Sequence, residues 1–373
     1  MNLLLTGDLI LDEPDPDFYF DHVRSLLRGA DFVVGHVEVP FTARGAGTEP
    51  NPNPGRDPAK LAALARAGFH VATLAANHLY DSGRAGVEDT LLGLRAAGLA
   101  TAGAGLDLAA ARRPALVAKD GVRVGVLSYN CVGPRESWAA AGKAGAAYLE
   151  VVTHYDLDHA NPGAPPSRIL ALAVPDSVDA MQADIEQVRR DVDVLVVALH
   201  KGIVHTPAVL AAYERPVSRA AIDAGADVVA AHHSHILRGM EVYRGRPIFH
   251  GLGNFVTVTR VLNVDGNPNP EMLEWARRRR QIFGFEPDPD YPTYPFHPES
   301  RNAVVGACEV GSQGVVQAGF IPCWIEPDGR PSPHGRDEVG EGVAAYVEEI
   351  SRRAGLETEF RWEGDRVLFG DGR

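Results

Sequence analysis

The chain has 373 residues, 45% hydrophobic and 23% charged, and can bury its own core without a disulfide or a structural metal. Lys and Arg number 36 against 49 Asp and Glu, a net charge of −13 that argues against general binding to nucleic acid or to an anionic membrane. Cys131, Cys308 and Cys323 are far apart and odd in number, so no disulfide framework is expected.

The opening residues carry no basic leader or cleavage signal, and no apolar run reaches the ~18 residues of a membrane span, so the expected location is cytoplasmic. Leu3–Thr6 is predicted to be a buried strand, Phe18–Leu27 a helix and Asp31–Val34 a second strand. Pro58–Ala67 is expected as a helix with Asp57 as N-cap, Pro58 in its first turn and Gly68 just past its end. His70–Ala75 is a third strand, and Gly83–Ala97 a helix closed by Gly98. Ala115–Ala118 and Val122–Tyr129 are paired through the Asp120-Gly121 turn. Ser177–Arg190 is helical, Val192–Leu199 a strongly apolar strand, and Pro207–Ala224 a helix broken near Pro216. Ala226–Ala231 is a strand, and Met240–Tyr243 pairs with Pro247–Phe249 around Arg244-Gly245. This alternation implies a mainly parallel sheet covered by helices on both faces. A single domain is expected, with a core over 2–256, an insertion over 261–301, and a C-terminal hairpin and helix (Glu341–Ala354) within 302–373. Residues 42–57 are expected to form an ordered loop, and 131–170 to cross over the strand ends.

Chemistry gathers where ligands bind in open α/β sheets, beyond the carboxyl ends of the strands. Successive strands run into Gly7-Asp8, His36-Val37-Glu38, Asn77-His78, His200, His232-His233-Ser234-His235 and His250-Gly251-Leu252-Gly253-Asn254. Of the 14 histidines, positions 36, 78, 200, 205, 232, 233, 235 and 250 lie at or just after such ends, a clustering that composition alone does not explain. Carboxylate, amide and imidazole together suit Mn²⁺, Fe²⁺, Zn²⁺ or Ni²⁺, and the lack of nearby thiols argues against a structural zinc site. A carboxylate such as Asp8 or Glu38 can bridge two cations about 3.5–4 Å apart, which would bring bound water toward a pKa of about 7.

These pieces, with Ala76-Asn77-His78-x-x-Asp81-x-Gly83, His200-x-Gly202 and Gly251-Leu252-Gly253-Asn254-Phe255, occur in an order that resembles the CapA (PGA_cap) family. That family is linked to poly-γ-glutamate capsule synthesis and is similar to the calcineurin-like metallophosphoesterases. The resemblance covers roughly residues 2–256. It implies an α/β fold of the four-layer αββα type and two divalent metal ions. It implies Asp8, Glu38, Asn77, His200, His233 and His235 as ligands, and His78 as general acid oriented by Asp81. The chain departs from the pattern in four places. The usual Asp-x-His opening reads Asp8-Leu9-Ile10, and His36 stands where the family has Asn. The usual His-Trp-Gly with a following Glu reads His200-Lys201-Gly202, and Ala231 replaces the Gly before the histidine pair. His36 is therefore a candidate for the missing metal ligand, with support of a neighbouring ligand as the alternative.

Strand alternation sends His232 away from the side taken by His233, leaving it to support a ligand or touch substrate. Lys201, His205, His232, His250 and Asn254 are the candidate substrate contacts, with structural roles for His205 and His250 equally open and a turn role for Asn254. The basic run Arg277–Arg280 is a solvated helix face or part of an anion-binding pocket with Lys201 and Arg135. His154, His159 and His297 could line the pocket. The expected function is a metal-dependent hydrolase in which a metal-bound hydroxide attacks a phosphoester or an amide or γ-glutamyl-type bond of a small anionic substrate. The alternatives are a non-catalytic, polymer-handling protein of capsule biosynthesis and a metal-dependent cyclisation or dehydration of a small metabolite. No nucleic-acid or membrane partner is expected, and the oligomeric state is left open.

Overall fold

The structure is a computed structural model that describes residues 1–44, 56–156, 160, 168–260 and 270–371. Two sheets carry the fold. In the first, the strand Asn2–Leu11 runs parallel to Phe32–Val37, which pairs with Val71–Thr73 and then Ala100–Ala102. On its other side lie the antiparallel hairpin Asn302–Gly311/Gly314–Ile325 and a second hairpin, Glu359–Glu363/Arg366–Gly370. Asn254–Val258 pairs in parallel with the far end of Asn2–Leu11, opposite Asp8. In the second sheet, Val122–Asn130, Val194–His200, Val228–His232 and Arg246–Phe249 are parallel neighbours, flanked by the antiparallel edges Ala115–Lys119 and Met240–Tyr243.

The sheets pack face to face. Leu3, Leu5, Phe32, Val34 and Val71 of the first meet Val124, Val126, Val194, Val196 and Val228 of the second. Because alternate residues of a strand point to opposite faces, Leu4, Val33 and Ala72 turn outward against Leu27, Leu64 and Leu94 of the first helical layer. On the other side Leu195, Val197 and Val229 turn against Met181, Ile185, Val217 and Ala221. The layers are thus αββα. The strand–helix alternation of the sequence, taken alone, suggested one sheet with helices on both faces. Each sheet instead has one helical face and one sheet face, a distinction that apolar runs buried on both sides cannot express.

Local expectations hold where the signal is backbone chemistry. Asp57 accepts from the Ala59 amide, and Gly68 caps the helix Ala62–Ala67 at φ 113°. The Asp120-Gly121 and Arg244-Gly245 turns take positive φ at every residue. Several expected spans differ; Pro58–Ala67 opens with a 3₁₀ turn over Pro58–Leu61 before the helix Ala62–Ala67, and Ser177–Arg190 begins earlier, at Pro175. Phe18–Leu27 divides into a short turn of 3₁₀ helix, Phe18–Phe20, and the helix Arg24–Arg28. Pro207–Ala224 is helical only over Glu214–Asp223, so Pro216 falls in the first turn, where its missing N–H costs nothing, and no kink is needed. The C-terminal helix begins earlier than expected, at Glu338, where Asp337 accepts from the Gly340 amide.

The stretch after Asn130 runs across the strand ends of both sheets, with Asn130 N donating to Ala147 O and Ala147 N to Gly103 O. It leads into the hairpin Val151–Asp156/Arg168–Ala173. Residues 45–55 of the predicted ordered loop, and His159, lie outside the described residues. Of the segment 261–301, expected as an insertion, residues 261–269 lie outside the described residues; the rest carries the helix Pro270–Phe283 and then places Tyr291, Tyr294 and Phe296 in the core beside the first sheet.

Candidate metal centre

The carboxyl ends of the parallel strands of both sheets meet at one rim, and the predicted ligands converge there. Asp8, His36, Glu38 and Asn77 come from the first sheet and its loops; His200, His232, His233 and His235 come from the second. One ligand atom each from Asp8, His36 and His200 lie within 4.8 Å of one another, as do those of Glu38, His200 and His233, and of Asp8, Glu38 and His235. Ligands at about 2.0–2.2 Å from a shared cation would stand up to roughly 4.4 Å apart, so these spacings fit the group with little contraction.

Close backbone approach makes this possible. A Cβ on Gly7 would stand 2.2 Å from Gly253 O, yet that carbonyl accepts the Asp8 amide at 2.9 Å. Only glycine lets the two strands come this near, bringing Asp8 level with Asn254. Beyond Val228–His232 the chain turns sharply, with His233 at φ 86° and His235 at φ 52°, and His205 beside it at φ 54°. Non-glycine residues held in this region cost of order 1–3 kcal/mol each, a strain that recurs at ligand sites. Here it directs alternate imidazoles inward.

Several donor atoms are buried without a hydrogen-bond partner: Asp8 Oδ1, His36 Nε2, Glu38 Oε2, His200 Nδ1, His232 Nδ1 and His233 Nδ1. Left bare, each costs about 1–3 kcal/mol, a large sum beside the net stability of a protein. Other contacts orient the ligands. His36 Nδ1 lies 2.9 Å from Thr73 Oγ1, whose proton is directed to Gly35 O, so Nδ1 is the donor and Nε2 the free acceptor. Asn77 Oδ1 is 2.8 Å from His200 Nε2, which is 4.0 Å from Glu38 Oε1. His235 Nε2 is 3.3 Å from Glu38 Oε1, and its Nδ1 is 3.4 Å from Asp8 Oδ2.

Burial keeps most of these imidazoles neutral. It holds His36 and His200 well below the usual range, His233 at about 3 and His232 at about 4. Burial works against charge on His235 as well, but Glu38 overrides it and lifts that group to about 9. Burial, reinforced by Glu38, pushes the Asp8 carboxyl well up. The free protein thus keeps a proton among two carboxylates and His235, at the place where a cation would replace it.

His78 stands beside this group. Its Nδ1 is 2.8 Å from Asp81 Oδ2, which fixes the ring with Nε2 outward, and a third of its side chain is exposed. Burial opposes charge on His78, yet Asp81 raises its affinity for a proton above the usual value. His205 packs near His235, its ring 6.0 Å away, under Phe283, Phe285, Phe296 and His297 of the insertion. Asn254 accepts from His235 Nδ1 at 2.9 Å.

Other sequence expectations are corrected. His232, expected to support a ligand or touch substrate, is buried; it donates from Nε2 to Thr6 O at 3.1 Å and stacks on His36 at 4.4 Å, contacts that suit the first of these roles. Lys201, expected at the substrate, and His250, for which a substrate contact and a structural role were equally open, are both fully buried. Lys201 Nζ is 3.0 Å from Glu214 Oε2 and 3.3 Å from His250 Nδ1, and His250 Nε2 is 2.9 Å from Glu241 Oε2. Arg238 pairs with Glu214 from the other side, at 3.2 Å. A charged side chain buried this way needs its partners there, so this ion network is scaffold. Of the expected basic pocket, Arg135 pairs with Glu150 and lies over the Trp138 ring at 5.4 Å, while Arg280 pairs with Glu286 at 2.6 Å. His154 lies exposed on the hairpin after the crossing segment. Cys131 is buried, and that burial pushes its thiol up to about 12. Sequence reading missed Thr73, Glu214, Arg238, Glu241 and Tyr294; none carries a local motif, and each is recruited from a distant element.

Residues 2–259 match the family described as bacterial capsule synthesis protein PGA_cap. A Mycobacterium tuberculosis protein named as a probable polyglutamine synthesis accessory protein is 34% identical over 61% of this chain and 55% of its own length. The PGA biosynthesis protein CapA of Bacillus subtilis is 30% identical over 66% and 58%, and the capsule biosynthesis protein CapA of Bacillus anthracis 27% over 69% and 59%. The chain thus spans little more than half the length of these relatives. Among solved structures, the calcineurin-like phosphoesterase YfkN of Bacillus subtilis covers 95% of this chain and 97% of its own at 13% identity and a TM-score of 0.36. The sulfate thiohydrolase SoxB of Thermus thermophilus covers 89% and 46% at 11% identity and a TM-score of 0.41. No residue assignment rests on likenesses of that size. The sequence match does carry weight: it runs through every strand that delivers a ligand, and the chain belongs to the bacterial capsule synthesis protein PGA_cap family.

Proposed function

We propose that this chain is a divalent-metal-dependent hydrolase acting on a small anionic substrate, at a phosphoester or at an amide or γ-glutamyl-type bond. The observation that carries the reading is the set of buried, unpartnered donor atoms from both sheets, with the His78–Asp81 pair beside it. Asp8, His36, Glu38, Asn77, His200, His233 and His235 would hold two cations of the Mn, Fe, Zn or Ni type. Divalent ions bound there supply Lewis acidity and a water that ionises near neutral pH. The protein's own groups do the rest. His36 takes the place of the imidazole that the Asp8-Leu9-Ile10 opening lacks. His78 delivers its Nε2 proton to the departing atom while Asp81 holds Nδ1–H. Phe283, Phe285 and Phe296 around His205 keep water from that side of the centre.

A second reading is supported by the relatives' names, which point to accessory and capsule-assembly proteins. In it the metal centre serves polymer binding without turnover. No helix among the described residues is long and apolar enough to cross a membrane. The two readings separate in one experiment. Protein purified without chelator is analysed for metal, then screened with added Mn²⁺ against activated phosphoesters, amides and lactones. Hydrolysis that depends on metal and on Asp8 supports the enzyme. Stoichiometric metal without turnover of any class supports the binding protein.

A further inference from the structure

The insertion supplies two hydrogen-bonding groups behind His235. Tyr294 is buried, with its hydroxyl between Ser300 O at 2.8 Å and Asn254 Nδ2 at 3.0 Å. Asn254 Oδ1 is 2.9 Å from His235 Nδ1. Ser300 Oγ, in turn, donates to His235 O at 2.5 Å, holding the ring's own backbone at φ 52°.

The polarity of this chain of bonds has one solution. A backbone carbonyl is only an acceptor, so Ser300 O must receive the single Tyr294 proton. The hydroxyl oxygen then accepts, and Asn254 must turn its NH₂ toward it. That leaves Oδ1 facing His235, and Oδ1 can only accept, so His235 Nδ1 carries a proton. The lone pair available to a cation is therefore on Nε2, the nitrogen that faces Glu38. Without the hydroxyl, the Asn254 amide loses the contact that fixes its NH₂, and only the longer approach of His235 Nδ1 to Asp8 Oδ2, at 3.4 Å, still favours a proton on Nδ1. A flipped amide would present NH₂ to Nδ1 and favour the tautomer with its proton on Nε2, where the cation must bind.

We infer that Tyr294 is a positioning residue for the metal centre, fixing the tautomer of His235 through Asn254, so that the insertion completes the site from behind. This rests on the metal reading above and adds a residue from outside every strand-end motif. The test is Tyr294→Phe, which keeps the ring packed against Phe296, 5.0 Å away. Zn²⁺ affinity is measured by calorimetry, and circular dichroism checks that the fold is retained. Affinity should fall roughly 10- to 100-fold, the usual loss when a group that orients a ligand is removed. The same change made in an Asn254→Asp background should cost less than about threefold, because a carboxylate has no amide to orient. Unchanged affinity, or an equal loss in both backgrounds, overturns the inference. A second readout needs no metal. At alkaline pH, where the ring is neutral, imidazole ¹⁵N shifts should show His235 as the Nδ1–H tautomer in the natural chain and as a mixture in Tyr294→Phe. Identical spectra overturn the inference as well. Natural protein that binds no Zn²⁺ sinks the metal reading, and the tautomer comparison still decides the role of Tyr294.

Discussion

Each imidazole at the centre has a second nitrogen to account for, and that is where individual residues divide into roles. His36 spends Nδ1 on Thr73 and His78 spends Nδ1 on Asp81, so each presents Nε2. His232 spends Nε2 on Thr6 O and leaves Nδ1 without a partner, its ring stacked on His36. In the proposed function His78 would meet the leaving group and hold no cation. His78→Ala should therefore keep full metal stoichiometry while turnover drops about 10²- to 10⁴-fold; elemental analysis alongside kinetics checks both, and wild-type turnover removes the acid assignment. A different pair governs stability. Burial alone would raise the Glu241 carboxyl, but hydrogen bonds from His250, Arg215 and Arg219 outweigh it and hold the group at about 2. Its ordinary value is 4.5, so in acid the unfolded chain binds the extra proton. The stabilisation is present above about pH 4.5 and is lost as pH falls toward 2, amounting to about 3 kcal/mol. Urea titrations between pH 2 and 6 should show this slope in the natural chain and a flatter one in Glu241→Gln.

Among the elements, the crossing of Gly7 and Gly253 decides how far Asp8 enters the centre. Gly7→Ala must displace one strand, since the nearest atom to the new Cβ is a backbone carbonyl that cannot rotate away. A loss of about 1–3 kcal/mol is expected, with weakened metal binding because Asp8 and Asn254 share that register. Urea unfolding and Zn²⁺ calorimetry on the one variant test both parts; a stable variant with full affinity shows that the crossing is slack. The turn Ser234–Ile236 is strained in the other sense. It is tied by His205 N to Ser234 O, Ser234 Oγ to Ile236 O and Ser300 Oγ to His235 O. Those ties hold His235 at φ 52°, away from the extended conformation of the strand before it.

For the whole molecule, the centre lies where two sheets meet, so occupancy and folding are linked. A cation that binds only the folded chain stabilises it by about 2.7 kcal/mol at a hundred times its dissociation constant. Chelation should lower the melting temperature, and Mn²⁺ or Zn²⁺ should restore it. Asp8→Asn should remove the response to metal while making the metal-free protein more stable, because it deletes a buried carboxylate whose charge is already disfavoured. Scanning calorimetry with and without chelator measures all three. A melting temperature indifferent to metal in the natural chain would count against a bound cation altogether.

The sequence by itself determined the strands, the glycine turns and which residues gather at the strand ends. These are short-range matters: apolar runs, caps and turn chemistry act over a few residues. The order of ligands along the chain was legible for the same reason, since each directly follows its own strand. Strand–helix alternation alone did not show two sheets in place of one; the family resemblance implied them, and the tertiary structure has them. Only the tertiary structure decided that Lys201 and His250 sit in an ion network with Glu214 and Glu241, and that Tyr294 stands behind His235. A buried charge or an imidazole tautomer is set by whichever group lies within about 3 Å of it, and those groups come from elements far away in the chain. Spacing along a sequence carries no record of that distance.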